Sequence, residues 1–87
     1  MDIKDARKRI DEIDREIAEL LTERFKMAEE IGKYKGDAGM SIRDRDREAS
    51  VIANALNFSE PPYDKYVGSV FESIINSAVD LQNDGRK

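Results

Sequence analysis

One apolar stripe constrains this chain more than any other feature. Ile3, Ala6, Ile10, Ile13, Ile17, Leu20, Met27 and Ile31 follow one another in steps of three and four, with a single polar position skipped between Leu20 and Met27. No proline or glycine interrupts the segment before Gly32. That alternation is one face of an amphipathic helix with heptad character. Asp2 suits the N-cap and "KGDAG" at 35–39 supplies the stop, so the pattern predicts a helix over about residues 2–35. Such a helix is roughly 50 Å long at about 1.5 Å per residue. A compact domain of this length has a radius of gyration of only about 12 Å. The helix overshoots any core the chain can build alone, and its stripe needs cover from a second copy. An obligate homodimer is expected.

Two further helices are predicted. The second begins near Asp44, after the break at Gly39, and runs to about Asn57 with Val51, Ile52, Ala55 and Leu56 inward. "NFSEPPYD" is a connector, because Pro61 and Pro62 cannot continue a helix but fit just before one or at its start. The third runs from about Pro62 to Asn83, with Tyr63, Tyr66, Val67, Val70, Phe71, Ile74, Ile75, Ala78 and Leu81 on its inner side. Gly85 in "NDGRK" serves as its terminator. No strand pattern, repeat or low-complexity segment is present. The expected class is all-α, three helices in one domain over residues 1–87, intertwined with a partner copy.

Composition removes several kinds of chemistry. The chain has no cysteine and no histidine. Disulfides, thiolate metal sites, the usual zinc ligands and the default general base near neutral pH are therefore excluded. A net charge of −4 argues against a nucleic-acid partner, which normally demands a basic surplus. No run approaches the roughly 18 apolar residues of a membrane span, and no signal-peptide pattern opens the chain. A soluble cytoplasmic protein with no metal site is expected.

Polar residues at inward positions carry the functional signal. Arg24 fills the gap in the first helix's stripe, where a snorkelling arginine is the plain explanation. Lys35 lies about 20° from it around the helix and about 16 Å along the axis. Two long cationic side chains so placed can grip a small dianion between them. Arg7 borders the same stripe but stands about 25 Å from Arg24 along the axis. A surface ion pair with Asp11 would account for it alone. In a dimer with antiparallel long helices, Arg7 of one chain instead reaches the Arg24 region of the other.

The charge run "SIRDRDRE" at 41–48 divides by helical angle. Measured from Val51, Asp44 falls about 20° away, Arg47 about 40° and Glu48 about 60°, all inward. Arg43, Arg45 and Asp46 fall about 80–140° away and are expected in solvent. Asp44 also suits an N-cap, and Glu48 a first-turn acid favoured by the helix dipole. Gln82 lies on the apolar side of the third helix, in register with Ile75 and Ala78. Together these cationic, acidic and amide groups in an apolar interior suit a small anion bearing a hydroxyl.

At this point the sequence resembles the chorismate mutases of the all-helical (AroQ) class. The resemblance covers nearly the whole chain. It rests on "ARKRIDEIDREIAELLTERFKMAEEIGKYK", "SIRDRDRE" and "VFESIINSAVDLQ", and on the spacing of Arg7, Arg24, Lys35, Asp44, Arg47, Glu48 and Gln82. It implies isomerisation of chorismate to prephenate in aromatic amino-acid biosynthesis, a pericyclic rearrangement that needs no cofactor. By analogy, Arg24 and an Arg7 donated by the partner subunit pair with the two carboxylates. Lys35 binds a carboxylate and, with Gln82, donates to the ether oxygen. Glu48, helped by the Asp44 turn, takes the ring hydroxyl, and Arg47 lines the pocket. Relatives often carry a serine near the pocket where this chain has Ala78, so one carboxylate contact is expected to be missing. Two alternatives accompany the mutase: an isochorismate pyruvate-lyase of the same fold, and a non-catalytic helical dimer module. The module leaves Arg24 and Gln82 unexplained at positions where apolar residues would pack better.

Overall fold

The computed structural model describes residues 2–86. Three helices form, α1 (Ile3–Asp37), α2 (Arg45–Leu56) and α3 (Asp64–Asp84), with no strand among the described residues. The first two begin as expected. Asp2 caps α1 by accepting from the Lys4 N–H, and Asp44 caps α2 by accepting from the Arg47 N–H at 3.0 Å. Both satisfy an N–H that the helix itself leaves without a partner.

The end of α1 is a paired-bond stop. The Met40 N–H donates to the Lys35 carbonyl at 2.7 Å and the Gly39 N–H to that of Gly36 at 3.2 Å. Gly39 adopts φ +69°, a left-handed conformation that glycine reaches without a Cβ clash. Gly85 behaves differently. It closes α3 in the right-handed region, φ −67°, so the left-handed freedom expected of that terminator is not used. The start of α3 also shifts. Pro61 and Pro62 lie in a turn closed by the Tyr63 N–H on the Glu60 carbonyl, which delays the helix from Pro62 to Asp64. Ser59 hydrogen-bonds the Asp64 carboxylate across this turn.

α3 is the central element, packed against both α1 and α2, which do not pack against each other. Its contact with α1 involves C-terminal halves. Ala28 and Gly32 are buried, and Gln82 and Arg86 lie against Gly32 and Gly36 respectively. Ile75 is the buried residue of α3. The rest of α1 projects past this contact, and the molecule measures 54 × 23 × 15 Å with a radius of gyration of 15.8 Å. The stripe is consequently bare in the single chain: Ile10 is 53% exposed and Leu20 63%, with Ile3, Ile13 and Ile17 alike exposed. Tyr63, Tyr66 and Val70, expected inward on α3, are exposed as well. The α3 face has the predicted register, but one chain does not supply enough surface to cover its N-terminal part.

Candidate active site

A cleft of about 280 Å³ opens between the C-terminal half of α1, the first turns of α2 and the C-terminal half of α3. Its size is near the lower end for small-molecule pockets. Arg24 and Lys35 enter from α1, Arg47 and Glu48 from α2 with the Asp44 cap beside them, and Gln82 from α3. Met27, Ile31, Val51, Ile75 and Val79 supply apolar wall. Six of the seven predicted residues thus meet in one place. Arg7 is the exception. It is exposed on the projecting part of α1 and does not line the cleft. Nor does it pair with Asp11 among the described residues, so its guanidinium stands unclaimed.

Two of the polar groups are held by backbone carbonyls. The Lys35 ammonium donates to Ile42 O at 3.0 Å, which ties the loop after α1 to its own helix and leaves two of three N–H donors free. Arg86 braces the same loop by donating to Met40 O at 2.9 Å. The Gln82 amide donates from Nε2 to Ala28 O at 2.7 Å. One N–H remains for a ligand, and the bond to α1 sets its direction. Arg24 and Arg47 make no side-chain hydrogen bond or ion pair among the described residues. Their forks are free to take carboxylates in bidentate fashion.

Glycine at position 32 makes the Gln82 geometry possible. A Cβ built there would lie 3.3 Å from Gln82 Cβ and 2.8 Å from its Cγ, the second closer than such atoms approach. Sequence reasoning missed this role and took Gly32 only as the first interruption of the helix. A glycine deep in a helical pattern costs about 1 kcal/mol relative to alanine, and that cost was the available sign of a close backbone approach.

The charge run needs one correction. Arg43 does not extend into solvent. Its Nε and Nη2 donate to the two oxygens of Glu48 at 3.1 and 2.6 Å, and Nη2 lies 3.4 Å from Asn76 Oδ1. The stepping angle failed because Arg43 precedes the helix: the cap Asp44 is extended (φ −132°, ψ 98°), and 100° per residue has no meaning across it. The Arg43 side chain reaches over the first turn of α2. Arg45 also approaches Glu48, at 3.5 Å, while remaining largely exposed. The Arg43 fork holds the Glu48 carboxyl below the usual carboxylate range, and the carboxylate in turn raises the guanidinium. Glu48 is therefore a firm anion, an acceptor with no proton to give.

The cleft thus presents three cations, the Glu48 carboxylate with the Asp44 cap beside it, and one oriented amide on an apolar floor. Ala78 lines it with a methyl group and offers no hydrogen bond. The arrangement fits a compact dianion carrying a hydroxyl and a weakly basic oxygen.

The same residues fall within a known family pattern. The model of chorismate mutase type II matches residues 6–83. The bifunctional chorismate mutase/prephenate dehydratase of Aquifex aeolicus is 31% identical over 86 residues, covering 93% of this chain but 24% of that protein. The chorismate mutase of Methanocaldococcus jannaschii is 30% identical over 82 residues, covering 92% of this chain and 83% of that one. In structure, form II of the chorismate mutase of Thermus thermophilus superposes with a TM-score of 0.86 at 30% identity, covering 93% of each chain. Form I of the same enzyme gives 0.79, covering 87% of this chain and 96% of that one. With the family match spanning all three helices and every cleft residue, the chain belongs to the chorismate mutases of type II.

Proposed function

We propose that the cleft isomerises chorismate to prephenate, the reaction of this family and a step of aromatic amino-acid biosynthesis. The observation that carries the proposal is the convergence of Arg24, Lys35, Arg47, Glu48 and Gln82 on one cleft with both arginine forks unpaired. Chorismate is a dianion with one ring hydroxyl and an enolpyruvyl ether. In the rearrangement the ether C–O bond breaks as a C–C bond forms between the side chain and the ring. All atoms stay in one molecule, and no proton or electron is exchanged with the protein. A chain without His or Cys is at no disadvantage for such a step.

Two effects lower the barrier. Arg24 and Lys35 clamp carboxylates and hold the flexible enolpyruvyl arm over the ring, which removes much of the entropic cost of reaching the reactive conformer. Negative charge then develops on the ether oxygen as its bond to the ring lengthens. Lys35 and the remaining Gln82 N–H face that oxygen, and preorganised donors of this kind are typically worth about 3–4 kcal/mol each. Glu48 accepts from the ring hydroxyl, and Arg47 adds positive potential at the wall.

The functional unit is a homodimer in which Arg7 of one subunit completes the cleft of the other. Support comes from the bare stripe of α1 and the unclaimed Arg7 guanidinium on the same projecting segment. Covering Ile3, Ile10, Ile13, Ile17 and Leu20 is worth about 1.5–3 kcal/mol for each side chain fully buried.

The test is loss of chorismate absorbance on addition of purified protein, with the product identified by chromatography. Prephenate is expected. Release of pyruvate from isochorismate in a parallel assay would point to the lyase of the same fold, and no turnover of chorismate would overturn the proposal.

A further inference from the structure

Glu48 is a wall between two spaces. One side of it lines the cleft with Lys35, Arg47 and Gln82. The other lines a groove shared with Arg43, Arg45, Glu72 and Asn76. Arg43 lines the groove and not the cleft. It reaches the Glu48 carboxylate from behind, by both oxygens, while Asn76 on α3 accepts from the same Nη2. The Arg43 side chain is 34% exposed and that of Glu48 17%, so the pair is far better shielded than an ordinary surface contact.

We infer that Arg43 is a positioning residue for the reaction, holding the Glu48 carboxylate from outside the cleft so that it faces the substrate hydroxyl and does not neutralise the cations meant for the substrate. Each carboxylate oxygen has two lone-pair directions, and the fork occupies one on each; Arg45 also approaches Oε1, so Oε2 keeps the direction open to a ligand. A carboxylate released from the fork would be free to turn toward Lys35 or Arg47 in the same cleft. It would then compete with the substrate's carboxylates. The groups around Glu48 set the balance: Arg43 and Arg45 favour its charge, while burial and Asp44 beside it oppose it; Lys35 and Arg47 line the cleft side and Glu72 the groove side. The lowered carboxyl agrees with the fork prevailing. For a group depressed on pairing, the contribution is complete above its ordinary value of 4.5 and is lost as pH falls through the lowered one.

The inference rests on reading the cleft as the mutase site, and two measurements keep the two apart. Arg43→Gln retains a donor stem but removes the charge and the fork. It is expected to lower kcat/KM on the order of tenfold and to move the acid limb of the kcat/KM profile up toward the ordinary glutamate range. In a Glu48→Gln background the same change is expected to alter kcat/KM less than about twofold. Arg43→Lys, a point charge without the fork, is expected to restore part of the limb shift and little of the rate. An equal loss in both backgrounds, or an unmoved acid limb, would overturn the inference. Carbon-13 titration of the Glu48 carboxyl in the unmodified protein requires neither variant to fold nor any turnover. A midpoint below the ordinary value is expected, and one at or above it sinks the idea even if the protein is a fully active mutase.

Discussion

Gln82 Nε2 bonds Ala28 O at 2.7 Å across the α1–α3 contact, and it does so at a point where the facing helix has no side chain, at Gly32. The amide proposed to donate to the ether oxygen is thereby aimed by a main-chain carbonyl, which cannot change rotamer. The replacement Gly32→Ala puts a methyl 2.8 Å from Gln82 Cγ and must push the amide aside. Misplacement by about 1 Å costs up to 100-fold, so kcat is expected to fall about 10- to 100-fold. Helicity should be kept, since alanine favours the helix by about 1 kcal/mol. Kinetics paired with circular dichroism check this, and an unchanged kcat would refute the positioning role of Gly32.

In the proposed role, the residue aimed this way donates a hydrogen bond in its resting state. An amide does so at every pH. Gln82→Glu donates only while protonated, so its activity is expected at acid pH and to decline as the carboxyl ionises. The unmodified enzyme should instead stay active well above pH 7. Gln82→Ala should lose about 100- to 1,000-fold in kcat. Full pH–rate profiles of the three proteins decide it, and a flat profile for Gln82→Glu would contradict the assigned role.

Arg7 and Arg24 belong to one site only if two chains share it. Arg7→Ala and Arg24→Ala should each be inactive as homodimers. Mixed and re-equilibrated, they form heterodimers with one site carrying both arginines and one carrying neither. Activity is expected to return to about a quarter of the unmodified level in an equimolar mixture, because half the dimers are mixed and each has one of two sites intact. Absence of complementation would place Arg7 outside the shared site.

The stripe of α1 should govern assembly and stability together. Ile17→Asp places a charge where an apolar contact is proposed, at a residue half exposed in the single chain. Its burial is expected to cost several kcal/mol per dimer. Sedimentation should show a shift to monomer, with activity falling in parallel. The thermal midpoint of the unmodified protein should rise with protein concentration, as mass action requires of a dimer. A monomeric, fully active Ile17→Asp would refute the shared site.

Helix content and the side of each helix that carries the apolar residues were legible because both follow from local periodicity, although the single chain leaves the α1 stripe and the start of α3 exposed. Arg24, Lys35, Arg47, Glu48 and Gln82 each sit at a position that helical angle alone assigns to the apolar side, and the cleft gathers all five. Arg43 was misread for the same reason in reverse: it lies before the cap, where no helical angle applies. Gly32 escaped notice because its partner, Gln82, is 50 residues away and on another helix.

The sequence by itself determined three helices, their caps at Asp2 and Asp44, the stop at Gly39 and the chemistry of the inward side chains, since each depends on residues within a turn or two of one another. Only the tertiary structure decided that α3 lies between α1 and α2, that Gly32 admits Gln82, and that Arg43 folds back on Glu48. Those features depend on distances between elements, and distances between elements are set by packing, which no local pattern encodes.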